Sequence, residues 1–154
     1  MKPILQALLL ADYVYEDKRT GKRIIAGVFN KVLRILHKQE KREEQKEGEP
    51  VTTPIVAVQK AGSPYAYFNV TEIHGETALQ LRFVSLASHE VIFRTSPIKV
   101  EADTPLTAVE RFLPVPPINN FPAGTYALEL VYENMALGSY RVIIEEVPST
   151  EVKT

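Results

Sequence analysis

The chain has no cysteine, only three histidines and three aspartates, and no apolar run long enough to span a bilayer. Each absence removes a class of function. Without cysteine there is no disulfide, no thiol nucleophile and no thiolate metal site, a composition that suits a reducing cytoplasm. His37, His74 and His89 lie far apart, and none has a second histidine or an aspartate at the spacing that zinc requires. Asp12, Asp17 and Asp103 are equally scattered, and only Asp17, beside Glu16, brings two carboxylates into one turn. Calcium sites on loop tips need more than that. No GxGxxG or GxxxxGK phosphate loop and no GxSxG elbow occurs. Ser88 and His89 are adjacent in an expected turn, which points their side chains apart rather than into a triad.

A surplus of either charge is missing too. The 18 Lys and Arg against 19 Asp and Glu leave a net charge of −1. A nearly neutral chain has no electrostatic footprint for nucleic acid or an anionic membrane, so neither partner is expected. Met1–Ala11, MKPILQALLLA, is interrupted by Gln6 and runs straight into Asp12–Tyr15. It reads as the first strand rather than a signal peptide, whose apolar core would be longer and end at a small-residue cleavage site.

What the sequence does have is strand and turn chemistry. Ile4–Tyr15 and Ile24–Ile35 are rich in aliphatic and β-branched residues, and EDKRTGKR between them offers Thr20-Gly21 for a tight turn. Ile55–Val58 is a short β-branched run. Tyr65–Ile73 and Thr77–Leu86 alternate around Gly75, and the second predicts Leu79, Leu81 and Phe83 on the core face with Gln80 and Arg82 opposite. Pro97 separates Val91–Thr95 from Ile98–Glu101 and marks an edge or bend. Arg111–Val115, Tyr126–Tyr132 and Tyr140–Ile144 complete the set. The only helix start is Thr104-Pro105-Leu106, which Pro114 confines to a couple of turns. The pattern predicts an all-β fold: an antiparallel β-sandwich of about eight or nine strands, Ig-like or C2-like in its Greek key, with a charged loop at 37–50. Residues 1–148 read as a single domain and 149–154 as a short polar tail.

The charged stretch, HKQEKREEQKEGEP from His37 to Pro50, has no aliphatic or aromatic side chain. Its cations, Lys38, Lys41, Arg42 and Lys46, face an excess of glutamates, so it lacks the positive surplus of a phosphate-binding arm. As a helix it would place like charges four apart at Lys38–Arg42, Glu40–Glu44, Arg42–Lys46 and Glu43–Glu47. Each such pair costs on the order of 0.2–0.5 kcal/mol. A solvated loop is expected, with Lys38–Glu49 exposed.

All seven tyrosines fall in expected strands. Most suit the margin of a core with the hydroxyl reaching water, while Tyr65 and Tyr67 share one sheet face and offer the alternative of a ligand groove. In the closing hairpin, Leu128 and Leu130 lie on one face of the first strand, and Tyr140 and Val142 on one face of the second. A two-residue loop at Asn134-Met135 would set Leu128 against Arg141. One extra residue, in a loop Asn134–Ala136 or a bulge at Gly138, sets Leu128 opposite Val142 and keeps the guanidinium out of the core.

LLLADYVYEDKRTGKRIIAGVF (Leu8–Phe29) and FPAGTYALELVYENMALGSYRVII (Phe121–Ile144) resemble an uncharacterised family of small bacterial β-sandwich domains. The shared features are a leading strand with an acidic residue, a TGK-type turn, an I-x-G-x-F second strand and a closing FP-x-G-x-Y hairpin. The resemblance implies a bacterial, cytoplasmic sandwich and brings no functional residues with it. No catalytic, cofactor-binding or metal-ligating residue is assigned. The sequence favours a non-catalytic protein-binding or assembly module, engaging a protein partner or a second copy. The alternative is a small-ligand binder or enzyme whose site is assembled from scattered Glu, Arg, Tyr and His.

Overall fold

A computed structural model describes residues 1–36, 56–57 and 64–148. The charged stretch, including Lys38–Glu49, and the tail 149–154 therefore lie outside the described residues. The strands in chain order are β1 (Ile4–Glu16), β2 (Arg23–Phe29), β3 (Lys31–Leu36), β4 (Val56–Ala57), β5 (Tyr65–Thr71) and β6 (Thr77–Ser85). They continue as β7 (Val91–Arg94), β8 (Ile98–Val100), β9 (Val109–Pro114), β10 (Gly124–Tyr132) and β11 (Met135–Pro148). The fold is an all-β sandwich. One sheet has the order β2-β1-β5-β9; the other runs β4-β3-β11-β10-β6-β7, with β8 also on β6.

Alternation decides what lies between the sheets. Leu79, Leu81 and Phe83 of β6 are buried, as are Leu128 and Leu130 of β10 and Val142 and Ile144 of β11. They meet Leu10, Phe68 and Val70 from the first sheet in one cluster. On the opposite face of β6, Arg82 pairs with Glu129 across the ladder at 2.6 Å, and Gln80 donates to the Thr95 carbonyl at 2.6 Å. Both faces of β6 thus match the alternation of the sequence.

Two departures from the sequence reading shape the molecule. Ile24–Ile35 is not one strand: it divides at Asn30, whose carbonyl accepts from the Ile143 amide at 2.8 Å. Beyond that point the chain leaves the first sheet, and β3 pairs in parallel with β11, so the sandwich is not wholly antiparallel. Both halves are rich in β-branched residues, and only the tertiary partners separate them. In the closing hairpin Leu128 pairs with Tyr140, not Val142. The turn is Glu133-Asn134, both at positive φ (48° and 65°), a two-residue connection of the kind that matches strand twist. The ladder then shifts between Leu130 and Val131, which adds the extra residue at Leu137. Because the error is two residues, every side chain keeps its expected face and Arg141 stays exposed.

Smaller adjustments keep the sheets satisfied. Pro97 interrupts the strand beside β6, and the Thr95 hydroxyl takes over as acceptor for the Leu81 amide at 3.1 Å. Gly138 lets the first sheet close on the second, since a Cβ there would sit 2.5 Å from Leu5 Cδ2. Thr104-Pro105-Leu106 makes only a turn, with the Thr107 amide bonded to the Thr104 carbonyl at 3.0 Å. The helical turn of the described chain is instead a 3-10 helix at Ile118–Asn120, framed by Pro116-Pro117 and Pro122.

Candidate functional site

Two features stand out on the described surface, and both arise from how β1 and β2 are built. β1 pairs with β5 only over Ile4–Ala11, but with β2 over Leu10–Glu16. Its outer half therefore leaves the sheet as a two-stranded ribbon. The β1–β2 ladder skips Asp12 and Gly27, where Gly27 takes φ +71°. Across that step the inward-outward alternation reverses: Leu9 and Ala11 precede it, and Val14, of the other parity, follows it in the same cluster.

The consequence is a ribbon folded over the outer face of its own sheet. Val14 and Ile25 pack with Tyr65, Tyr67 and Phe112. The Arg23 guanidinium lies 5.2 Å from the centre of the Phe112 ring, although β2 and β9 are opposite edges of the sheet. Arg23 also pairs with Glu16. Tyr65 and Tyr67 do share a face, but the groove they would line is filled by the ribbon. Tyr67 is buried and its hydroxyl donates to Glu110.

Burial, and then the bond to Glu110, pushes the Tyr67 phenol up to about 12. An unfolded chain releases that proton near pH 10. The contribution of Tyr67 to stability is therefore whole below pH 10 and is lost as the pH climbs towards 12. Tyr126 and Tyr140 are raised by burial as well. Tyr67→Phe is expected to flatten the alkaline fall in stability without abolishing it, measured as denaturant midpoints between pH 9 and 12. An unchanged slope would contradict this placement.

The other face of the ribbon is open. Tyr13 is 64% exposed, Tyr15 52% and Ile24 37%. Tyr15 stands opposite Ile24, and Tyr13 opposite Ala26. The ribbon tip is ordered by Asp17, whose carboxylate accepts from the Arg19 amide at 3.0 Å and the Thr20 hydroxyl at 2.8 Å. Those bonds hold its pKa below the usual carboxylate value. Lys18, Arg19 and Lys22 project from the same tip with no ion pair among the described residues.

The second feature is a cavity of about 280 Å³ where the chain crosses from β2 to β3. Phe29, Val32, Leu33, Pro64 and Ile118 make its apolar walls. Asp12, Lys31 and Asn119 supply the polar groups. The Lys31 ammonium is already paired with Glu145 at 2.8 Å. Asn119, set in the 3-10 helix, is only 7% exposed. Nothing in the sequence singled out Asn119, because the cavity joins segments far apart in the chain.

The histidines and aspartates do not converge. His74 Nε2 lies 3.5 Å from Glu72 Oε2 at the surface, His89 holds a turn with φ +60°, and His37 lies outside the described residues. Among the described residues no group of three or more His, Asp or Glu is placed to hold a metal ion. No helix among them is long and apolar enough to cross a membrane. No model of a known protein family matches the chain, and no curated protein matches it either.

Proposed function

We propose that this protein is a non-catalytic binding module that recruits an extended segment of a partner protein along the free edge of β2. The observation that carries the reading is the condition of that edge. The other outer strands are blunted: β4 has two residues, β7 four and β8 three. β9 carries Glu110, Arg111 and Pro114. β2 runs seven residues, RIIAGVF, without proline or acid, and among the described residues has a ladder partner on one side only. An edge of that kind is a template for an added strand unless something protects it.

The partner's chemistry follows from what flanks the edge. Ile24, with Tyr15 and Tyr13 behind it, favours an apolar residue of the incoming strand on that face. Lys18, Arg19 and Lys22 at the ribbon tip favour acidic residues where it passes. A cytoplasmic setting belongs to the same proposal, supported by the cysteine-free sequence.

The test is fluorescence anisotropy with a short peptide that alternates valine and threonine between terminal glutamates. Saturable binding is expected, with at least about a tenfold loss in Ile24→Lys, or about 1.4 kcal/mol, and a similar loss when the terminal glutamates become lysines. Equal binding of both peptides, or no binding, would remove the reading. A stable dimer in sedimentation, lost in Ile24→Lys, would assign the edge to a second copy instead.

A further inference from the structure

Residues 13–26 are tied to one another but not to the sheet they lie on. Their backbone bonds run between β1 and β2 or across the turn at Asp17, and the Arg23–Glu16 pair also stays within the ribbon. Among the described residues, no hydrogen bond or ion pair joins residues 13–26 to any other part of the chain. What holds the ribbon down is an apolar contact, Val14 and Ile25 on Tyr65, Tyr67 and Phe112, with the Arg23 guanidinium over the Phe112 ring. That cluster is separate from the main core, and only Ala11, Val14 and Tyr67 are buried in it.

Closing the ribbon also has a cost. The Arg23 Nε is buried there without a hydrogen-bond partner among the described residues. Water satisfies that N–H once the ribbon lifts, which offsets part of what apolar burial contributes. The pivot is already built: the β1–β2 ladder skips Asp12 and Gly27, and Gly27 sits at φ +71°. A lift about that bend breaks no hydrogen bond between the ribbon and the rest of the described chain. Segments held in this way open before the fold around them does.

We propose that residues 13–26 are a hinged strap, which lifts as a unit about Asp12 and Gly27 while the rest of the sandwich stays folded. The closed strap hides the aromatic surface formed by Tyr65, Tyr67 and Phe112. The lifted strap uncovers that surface and carries the outer half of β2 away from it. The inference rests on how the ribbon is packed, and not on the partner proposed for the β2 edge.

The absence of native cysteine makes thiol labelling of the full chain a direct test. Val14→Cys places a thiol under the strap, and Val142→Cys places one in the main core, at sites 5% and 0% exposed. At neutral pH without denaturant, the first is expected to react at least about a hundredfold faster, because local opening outpaces global unfolding. Urea below the unfolding transition should hardly change that rate, since lifting the strap exposes little surface. Phe112→Leu removes the ring on which the strap is seated, and should speed labelling of Val14→Cys by about tenfold. It should leave the rate at Val142→Cys unchanged. Equal rates at the two thiols would mean that the ribbon opens only with the whole fold, and would overturn the proposal. A rise at Val142→Cys that matches the rise at Val14→Cys would overturn it too.

Discussion

Phe83→Ala is expected to lower the unfolding free energy by about 3–5 kcal/mol, the range for deleting a fully enclosed phenyl ring. Phe83 has no exposed surface. Its ring stacks on Tyr126 at 5.0 Å with 6° between planes, and on Phe93 at 5.2 Å. Phe121 leans against it at 5.7 Å. Three aromatic neighbours therefore lose a partner at once, and each such pair is worth roughly 0.5–1.5 kcal/mol beyond burial. The walls cannot collapse freely either, because the Tyr126 hydroxyl is tied to the Pro122 carbonyl at 2.7 Å. Since domains are stable by only about 5–15 kcal/mol, this one change threatens the fold. Phe93→Ala, at a half-buried position, should cost less than half as much in the same urea titration. A loss below about 1.5 kcal/mol for Phe83→Ala would show that the aromatic stack is not the centre of the core.

The alternation that places Phe83 is visible in the sequence because β6 is buried on one face only. Leu79, Leu81 and Phe83 against Gln80 and Arg82 leave one register open. The division at Asn30 is not visible, since Ile24–Phe29 and Lys31–Ile35 are both good strands. What separates them is distant in the chain: the Ile143 amide on the Asn30 carbonyl and the Tyr140 hydroxyl on the Phe29 carbonyl at 2.8 Å. The closing hairpin shows an intermediate case. Avoiding a buried arginine fixes which face is inward, but not which partner is opposite. That depends on Glu133 adopting positive φ, a conformation sequence reasoning assigns to asparagine first.

The candidate sites were less legible than the core for a related reason. Tyr13 and Tyr15 are strand tyrosines in the sequence, with nothing to say that Val14 rather than they would be covered. Their exposure follows from the reversed alternation at Asp12 and Gly27, which is a matter of backbone geometry. The cavity depends on the crossing at Asn30 and on the 3-10 helix, so it inherits the feature that was hardest to foresee.

That reversal can be tested through Gly27, for which alanine is expected to cost about 2–4 kcal/mol. Two effects add. At φ +71° an L side chain pays roughly 1–2 kcal/mol for the left-handed conformation. The new Cβ would also lie 2.9 Å from Asp12 Cγ and 3.0 Å from Asp12 Cβ, with the carboxylate oxygen closer still. Gly21 and Gly75 separate the two effects, because they have φ +69° and +67° but nothing within 4 Å of where a methyl group would sit. Alanine at either should cost about 1 kcal/mol. Asp12→Ala in the Gly27→Ala background removes the carboxylate and should restore more than about 1 kcal/mol, a coupling that additive sites would not show. The damage should also be local. With the bend strained, amide exchange should quicken at Val14 and Ile25, and Tyr67 should lose the cover that raises its pKa. Binding along the β2 edge should weaken with it, since the ribbon presents that edge only while it stays folded over Tyr67 and Phe112. If Gly27→Ala costs no more than Gly21→Ala, the approach of Asp12 does not hold the ribbon in place, and the reversal has another cause.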